Sequence, residues 1–130
     1  MNKLPLPQIA KQIAAPLGAI ASPQRLAILL AIGKGEACVC HLEAALGWRQ
    51  AYISQHLMVL RKAGILQDRR EGRYIFYRLA NESVLDLVLD AARMSGIDAL
   101  VVESFEDSER DGGCGCPHCT PEPALIKLDS

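Results

Sequence analysis

The sequence predicts a mainly α-helical fold with a small β-hairpin, a winged helix-turn-helix that completes its core by dimerising. Three observations support this prediction. Two segments of helical apolar spacing meet at Gly47, two β-type segments flank Glu71-Gly72, and the last helical segment carries more apolar residues than one stripe can hold. Half of the residues are hydrophobic but only 5% are aromatic, which fits a small helical core completed by a second copy.

The segment before the paired helices predicts two further helices. Apolar residues recur at helical spacing from Ile9 to Ile20, although Pro16 should kink or interrupt that helix. Ser22-Pro23 is an N-cap followed by proline at the first helical position. The helix that begins there is expected to end near Gly33 or Gly35.

The next two helices have the arrangement of a helix-turn-helix. The first is predicted from Cys38 to Leu46 and the second from Trp48 or Arg49 to about Ala63, with Gly47 in the turn. A recognition helix of this type presents hydrogen-bonding side chains to DNA. The candidate DNA contacts on the second helix are Gln50, Tyr52, Ser54, Gln55, His56, Arg61 and Lys62.

A basic hairpin follows directly. Residues 65–69 and 74–79 have the composition of strands, and Glu71-Gly72 supplies the tight turn. Arg69, Arg70 and Arg73 crowd the tip of this hairpin. Such a hairpin after a recognition helix is a wing, which can contact the DNA backbone or minor groove.

The last helix is predicted to run from Asn81 or Ser83 to about residue 107. Its apolar surface is enough to cover its own domain and a partner chain, so Leu87 and Val88 are predicted to lie in a homodimer interface. Residues 1–107 would then form the DNA-binding and dimerisation domain. Residues 108–130 would form a flexible, cysteine-rich tail.

The net charge of −1 hides an uneven distribution. Residues 1–80 carry eleven Lys/Arg and four Asp/Glu, whereas residues 81–130 carry three Lys/Arg and eleven Asp/Glu. The cationic part suits the phosphates of double-stranded DNA, and a dimer would read an operator as two inverted-repeat half-sites. The apolar runs are too short to span a bilayer and the start lacks a signal-peptide pattern, so a cytoplasmic protein without a membrane partner is expected.

All five cysteines lie in two clusters, near residues 38–40 and 114–119, and no cysteine lies elsewhere. Thiols stay reduced in the cytosol, and their thiolates select soft ions such as Zn(II), Cd(II) and Pb(II). The candidate ligands are Cys38, Cys40, Cys114, Cys116 and Cys119. Residues two apart on a regular helix point about 200° apart, so either the first turn at Cys38 is irregular or ion binding unwinds it.

The second cluster leaves two arrangements open. Its cysteines join Cys38 and Cys40 in one site, within or across subunits, or they bind a separate ion. No organic cofactor is expected. No Ser/His/Asp set or carboxylate pair stands out, so the sequence does not predict an enzyme.

This order of parts resembles the ArsR/SmtB family of bacterial metal-sensing repressors. The resemblance covers roughly residues 20–105. It is carried by the stretches 38–42 (Cys-Val-Cys-His-Leu), 53–66 (Ile-Ser-Gln-His-Leu-Met-Val-Leu-Arg-Lys-Ala-Gly-Ile-Leu) and 69–79 (Arg-Arg-Glu-Gly-Arg-Tyr-Ile-Phe-Tyr-Arg-Leu).

The resemblance implies a homodimer formed by the first and last helices, which binds its operator without metal and releases it when metal binds. It also adds As(III) to the candidate inducers and places a ligand pair at Cys38 and Cys40. The sequence departs from the family pattern in two ways. No cysteine precedes residue 38, and the last predicted helix lacks the histidine of the zinc site that other members carry there.

Two rival functions compete with a metal-responsive repressor. One is a repressor that senses oxidants through disulfides between the same cysteines. The other is a metal-buffering or protein-interaction module that does not read DNA. Holding metal requires neither a basic wing nor the polar face from Gln50 to His56, so these features disfavour the last alternative.

Overall fold

The computed structural model describes residues 5–98, which form five helices and one three-stranded sheet. In chain order the elements are α1 (Leu6–Ile20), α2 (Pro23–Ile32), β1 (Glu36–Cys38), α3 (Val39–Leu46), α4 (Gln50–Lys62), β2 (Leu66–Glu71), β3 (Tyr74–Leu79) and α5 (Glu82–Met94). The predicted winged helix-turn-helix is confirmed, since α3 and α4 form the helix pair and β2 and β3 form the wing.

Of the two N-terminal helices, α2 begins where the sequence predicts, whereas α1 begins at Leu6, before the helical spacing that starts at Ile9. The Ser22 side chain accepts a hydrogen bond from the Arg25 backbone N–H at 3.3 Å and so caps α2. Pro16, however, does not interrupt α1. Proline leaves the carbonyl of Gln12 without its helical donor, but this part of α1 is exposed, so water can satisfy that oxygen.

The sheet contains one strand more than predicted. β1 pairs antiparallel with β3, which also pairs with β2, in the order β1-β3-β2. β1 has only three residues, too few to show alternation of apolar and polar positions. Its pairing joins the start of α3 to the wing, because Cys38 lies opposite Phe76 and α3 begins at the next residue.

The core is divided by the sheet into two clusters. The main cluster packs α2, α3 and α4 together with the inner residues of the strands, and its most buried members are Ile28, Leu29, Leu42, Ile53, Leu57 and Leu60. The second cluster consists of Cys38 and Phe76, with Cys40 and Tyr74 packed against them. Opposite residues of paired strands share a face, so Cys38, Phe76 and Arg69 form one row across the sheet.

α5 is shorter than predicted. Its N-cap is Asn81, whose side chain accepts a hydrogen bond from the Ser83 backbone N–H at 3.0 Å, as the sequence indicates. The helix ends at Met94, and Gly96 adopts a left-handed φ of 80°. The prediction of a helix through residue 98 is therefore wrong, because Gly96 acts as a terminator; residues 99–107 of the prediction lie outside the described residues.

Within residues 5–98 no single helix is long and apolar enough to cross a membrane. α1 and α2 satisfy the length and composition criterion only when taken together, and they meet at a bend of 77°.

Candidate nucleic-acid interface and metal centre

α4 is built as an amphipathic helix with a cationic end. Gly47 makes the preceding turn in the left-handed region, with φ 71°, and its N–H bonds to the Glu43 carbonyl. Ile53, Leu57 and Leu60 anchor one face in the core. Gln55 lies opposite this buried face by helical geometry, and Lys62 lies two turns further along the same strip.

The candidate DNA contacts on α4 differ in exposure. Gln50, Tyr52, Gln55, Arg61 and Lys62 are exposed, whereas Ser54 and His56 are half-buried on the flanks. Two exposed apolar residues of this surface, Met58 and Val59, were not among the predicted contacts. Methyl groups of thymine are possible partners for such side chains, but apolar residues inside a predicted helix are ordinarily assigned to the core.

His56 belongs to an aromatic row. Its ring meets Tyr52 edge-on at a centroid distance of 4.8 Å, and Tyr52 meets Trp48 in the same way at 5.5 Å. Burial, and secondly the charge of Arg25, lower the pKa of His56 from its ordinary 6.5. Its Nε2 is buried and has no hydrogen-bond partner among residues 5–98. These contacts indicate a neutral packing residue more than a reader of bases.

The arginines of the wing fall into two groups. Arg69 donates to both carboxylate oxygens of Glu36, with distances of 2.8–3.1 Å, and its guanidinium lies 4.8 Å from the centre of the Phe76 ring. The hydrogen bond with Glu36 raises the pKa of Arg69. Arg70 and Arg73 are exposed and have no ion-pair partner in the described part of the chain.

The same division holds on α4. Arg61 forms an ion pair with Asp68 of β2 at 3.4 Å, whereas Lys62 has no ion pair within the described ranges. Three predicted contacts therefore offer an uncommitted cation to a phosphate: Lys62, Arg70 and Arg73. Glu36 and Phe76, which hold Arg69, were missed because β1 was not recognised.

Cys38 and Cys40 are brought together without any unwinding of α3. Cys38 is the last residue of β1 and the N-cap of α3, with an extended backbone (φ −88°, ψ 167°). Its Sγ lies 2.9 Å from the Sγ of Cys40 and accepts a hydrogen bond from the His41 backbone N–H at 3.4 Å. Of the two alternatives left open by the spacing, the structure has the irregular first turn.

The thiol pair suits a soft ion, although it is not a complete site. A tetrahedral ion with Zn–S bonds of about 2.3 Å holds two sulfurs about 3.8 Å apart, so the pair needs to open by about 0.9 Å. Residues 5–98 contain no group of three or more potential ligands. The other candidate ligands, Cys114, Cys116 and Cys119, lie outside the described residues.

The two predicted interface residues on α5 are placed differently. Leu87 is 41% exposed, whereas Val88 is 5% exposed and belongs to the main cluster of its own chain. α1 presents a further apolar stripe at helical spacing, consisting of Leu6, Ile9, Ile13 and Leu17. The apolar surface available to a second chain therefore lies on α1 and on the Leu87 side of α5.

A fold of this kind, with a cationic recognition helix and wing, defines a DNA-binding regulator. Residues 22–68 match the family model described as "Bacterial regulatory protein, arsR family". The Biofilm growth-associated repressor of Agrobacterium fabrum is 42% identical over 91 residues, which cover 68% of this chain and 78% of that protein. The chain belongs to the ArsR/SmtB family of bacterial regulatory proteins.

Two further comparisons agree with this assignment. The HTH-type transcriptional repressor SmtB of Mycobacterium tuberculosis is 42% identical over 84 residues, or 65% of this chain and 62% of that protein. The chain thus spans less than two thirds of the length of this relative. The homodimeric winged helix-turn-helix DNA-binding domain Mb0332 of Mycobacterium bovis superposes with a TM-score of 0.64 at 28% identity, covering 74% and 91% of the two chains.

His56 should make folding stability depend on pH. Its folded-state pKa lies below 6.5, so the unfolded state takes up the proton more readily, and stability is complete above about pH 6.5 and declines as the pH falls. His56→Gln removes this titration. Urea unfolding between about pH 7 and pH 5 should show a smaller loss of stability for His56→Gln than for the wild type. Equal losses would show that His56 titrates normally.

Proposed function

We infer that this protein is a transcriptional repressor that binds operator DNA as a homodimer and releases it when a thiophilic ion binds at Cys38 and Cys40. The observation that carries this function is the pair of cysteine sulfurs, 2.9 Å apart, at the N-terminus of α3. α3 packs against the recognition helix α4, so the sensor adjoins the reading surface. The relative named a transcriptional repressor, SmtB, supports the repressor role.

DNA recognition is assigned to the outward strip of α4 and to the tip of the wing. Gln55, opposite the buried face, is suited to a bidentate contact with adenine, and Gln50 begins the helix at the end that usually reaches base edges. Arg70 and Arg73 would contact the backbone or minor groove. Arg69 is assigned a positioning role, because Glu36 holds it against the sheet.

Dimerisation is assigned to α1 and α5. Ile13 is 56% exposed, Leu17 42% and Met94 90%, and such side chains are costly to leave in water. The homodimeric state named for the Mycobacterium bovis domain supports this assignment. Two copies of α4 would then read two half-sites of an inverted repeat.

The inducer is assigned by donor chemistry. Thiolate sulfur favours Cd(II), Pb(II), As(III) and Zn(II) over hard cations. A closed site needs three or four donors, and the pair at Cys38 and Cys40 supplies two. Cys114, Cys116 and Cys119 are the remaining thiols of the chain and are proposed to complete the site.

One observation also favours the redox-sensing alternative. The two sulfurs lie 2.9 Å apart, and a disulfide would require about 2.05 Å. Oxidation of the two reduced thiols to a disulfide by hydrogen peroxide, with release of two water molecules, would then be the signal. Loss of operator binding with peroxide, but not with Cd(II) under reducing conditions, would favour this function over ion sensing.

Base readout should depend on Gln55. On an operator selected in vitro by the protein, Gln55→Ala should weaken binding by about 1–3 kcal/mol and have little effect on random DNA, because it removes a base contact. Arg70→Ala should weaken binding to both DNAs and reduce the dependence of the Kd on salt concentration. Arg69→Ala should reduce that dependence less, because the guanidinium of Arg69 is already paired with Glu36. Fluorescence anisotropy over a salt series measures all three. Equal losses on both DNAs for Gln55→Ala would show that the readout lies elsewhere.

The thiol pair should be required for ion response but not for DNA binding. Cys38→Ser keeps a good N-cap, so the variant should fold and bind operator, yet Cd(II) should no longer release it.

Truncation after Gly113 should leave operator binding at least as strong and reduce the number of thiolates bound per ion, measured by ultraviolet charge-transfer absorbance. An unchanged thiolate count after truncation would exclude the tail from the site.

A charge on α1 should dissociate the dimer. Leu17→Glu should produce a monomer by analytical ultracentrifugation at micromolar concentration and weaken operator binding, because the buried carboxylate would lack a partner. Val59→Glu is a matched control for the oligomeric state alone, since Val59 is an apolar residue with the same 42% exposure but lies on the proposed reading surface of α4. A dimeric Leu17→Glu protein would place the interface elsewhere.

A further inference from the structure

A cavity of about 300 Å³ lies between the start of α3, the start of α4 and the tip of the wing. Cys38, Cys40 and Glu43 line one side of it, Gln50 contributes the first residue of α4, and Arg73 and Tyr74 come from the wing. The cavity therefore joins the proposed ion ligands to two proposed DNA contacts.

The lining suits a phosphodiester. Arg73 has no ion-pair partner within residues 5–98, and its guanidinium is held 5.5 Å from the centre of the Tyr74 ring. Gln50 adds an amide donor at the N-terminus of α4, which has no side-chain cap among the described residues. Among the described residues of the lining, Glu43 is the one acidic side chain and opposes the charge of Arg73, whereas the N-terminus of α4 adds to the positive potential.

We propose that a backbone phosphate of the operator occupies this cavity, so that an ion held by Cys38 and Cys40 displaces DNA by direct competition for the same space. The proposal rests on the function inferred above and specifies how release occurs. A divalent ion bound by three or four thiolates leaves a net negative charge. That charge would stand where the phosphate must lie, and the volume would no longer be available.

Direct competition differs measurably from coupling between two separate sites. Separate sites form a ternary complex, and the loss of affinity levels off at the coupling factor, typically about 5–150-fold. Two ligands that exclude one another show no such limit. The apparent Kd for DNA then rises in proportion to the free ion concentration.

The first test uses the full reduced chain with chelator-buffered Cd(II) as the probe. Operator Kd should rise in proportion to Cd(II) well beyond about 150-fold, and native mass spectrometry should detect no protein–Cd(II)–DNA complex. A plateau with a ternary complex would overturn the proposal and leave the repressor function intact. An operator Kd that Cd(II) leaves unchanged would overturn both.

The second test needs no ion. Methylphosphonate substitution, one phosphate at a time, should reveal a phosphate in each half-site whose neutralisation weakens wild-type binding about tenfold but has little effect on Arg73→Ala. Cys40→Asp should weaken operator binding about tenfold relative to Cys40→Asn, because the carboxylate faces that phosphate. Ala44→Asp, on α3 but outside the cavity lining, controls for the added charge. Equal affinity of the Asp and Asn variants of Cys40 would show that no phosphate lies there.

Discussion

The pairing of β1 with β3 is the constraint on which the arrangement of the molecule depends. It involves three residue pairs, Glu36 with Arg78, Ala37 with Tyr77 and Cys38 with Phe76. Because α3 follows β1 without a linker, the helix-turn-helix cannot move relative to the wing unless this pairing changes. The cluster of Cys38 and Phe76 and the ion pair from Glu36 to Arg69 reinforce the same junction on one face of the sheet.

Cys38, the last residue of β1, is an uncommon N-cap for a helix. Ser, Thr, Asp and Asn are the preferred N-caps, and a thiol is a weak acceptor for the His41 N–H. Serine would cap α3 better and would also fit the space. Packing against Phe76 accounts for a small buried side chain at Cys38, and the proposed ligand role would account for sulfur at both Cys38 and Cys40.

Much of this architecture could be predicted from local sequence signals. The bounds of β3, the capping by Asn81 and the buried residues Ile53, Leu57 and Leu60 follow from turn, cap and apolar periodicity. β1 could not be predicted, because its stability comes from pairing with a strand more than thirty residues away. The end of α5 was overestimated because apolar residues continue past Gly96, and a glycine inside an apolar run is compatible with either a bend or an end.

The residues of the candidate site could be listed from the sequence, but the sequence did not show which of them are already engaged in contacts within the chain. Arginines crowd the wing in the sequence, yet Arg69 is committed to Glu36 and only a tertiary contact between β1 and β2 reveals it. Likewise, His56 has the residue type of a DNA contact, but its ring packs against Tyr52, which in turn packs against Trp48. Among the predicted DNA contacts, the cations outside the ion pairs are therefore fewer than the sequence suggests: Lys62, Arg70 and Arg73. Of these three, Arg73 also lines the cavity beside Cys38 and Cys40, so one cation would belong to both the proposed reading surface and the proposed ion site. In the proposed mechanism no change has to be transmitted over a distance, because the ion binds at the place that the operator phosphate must occupy.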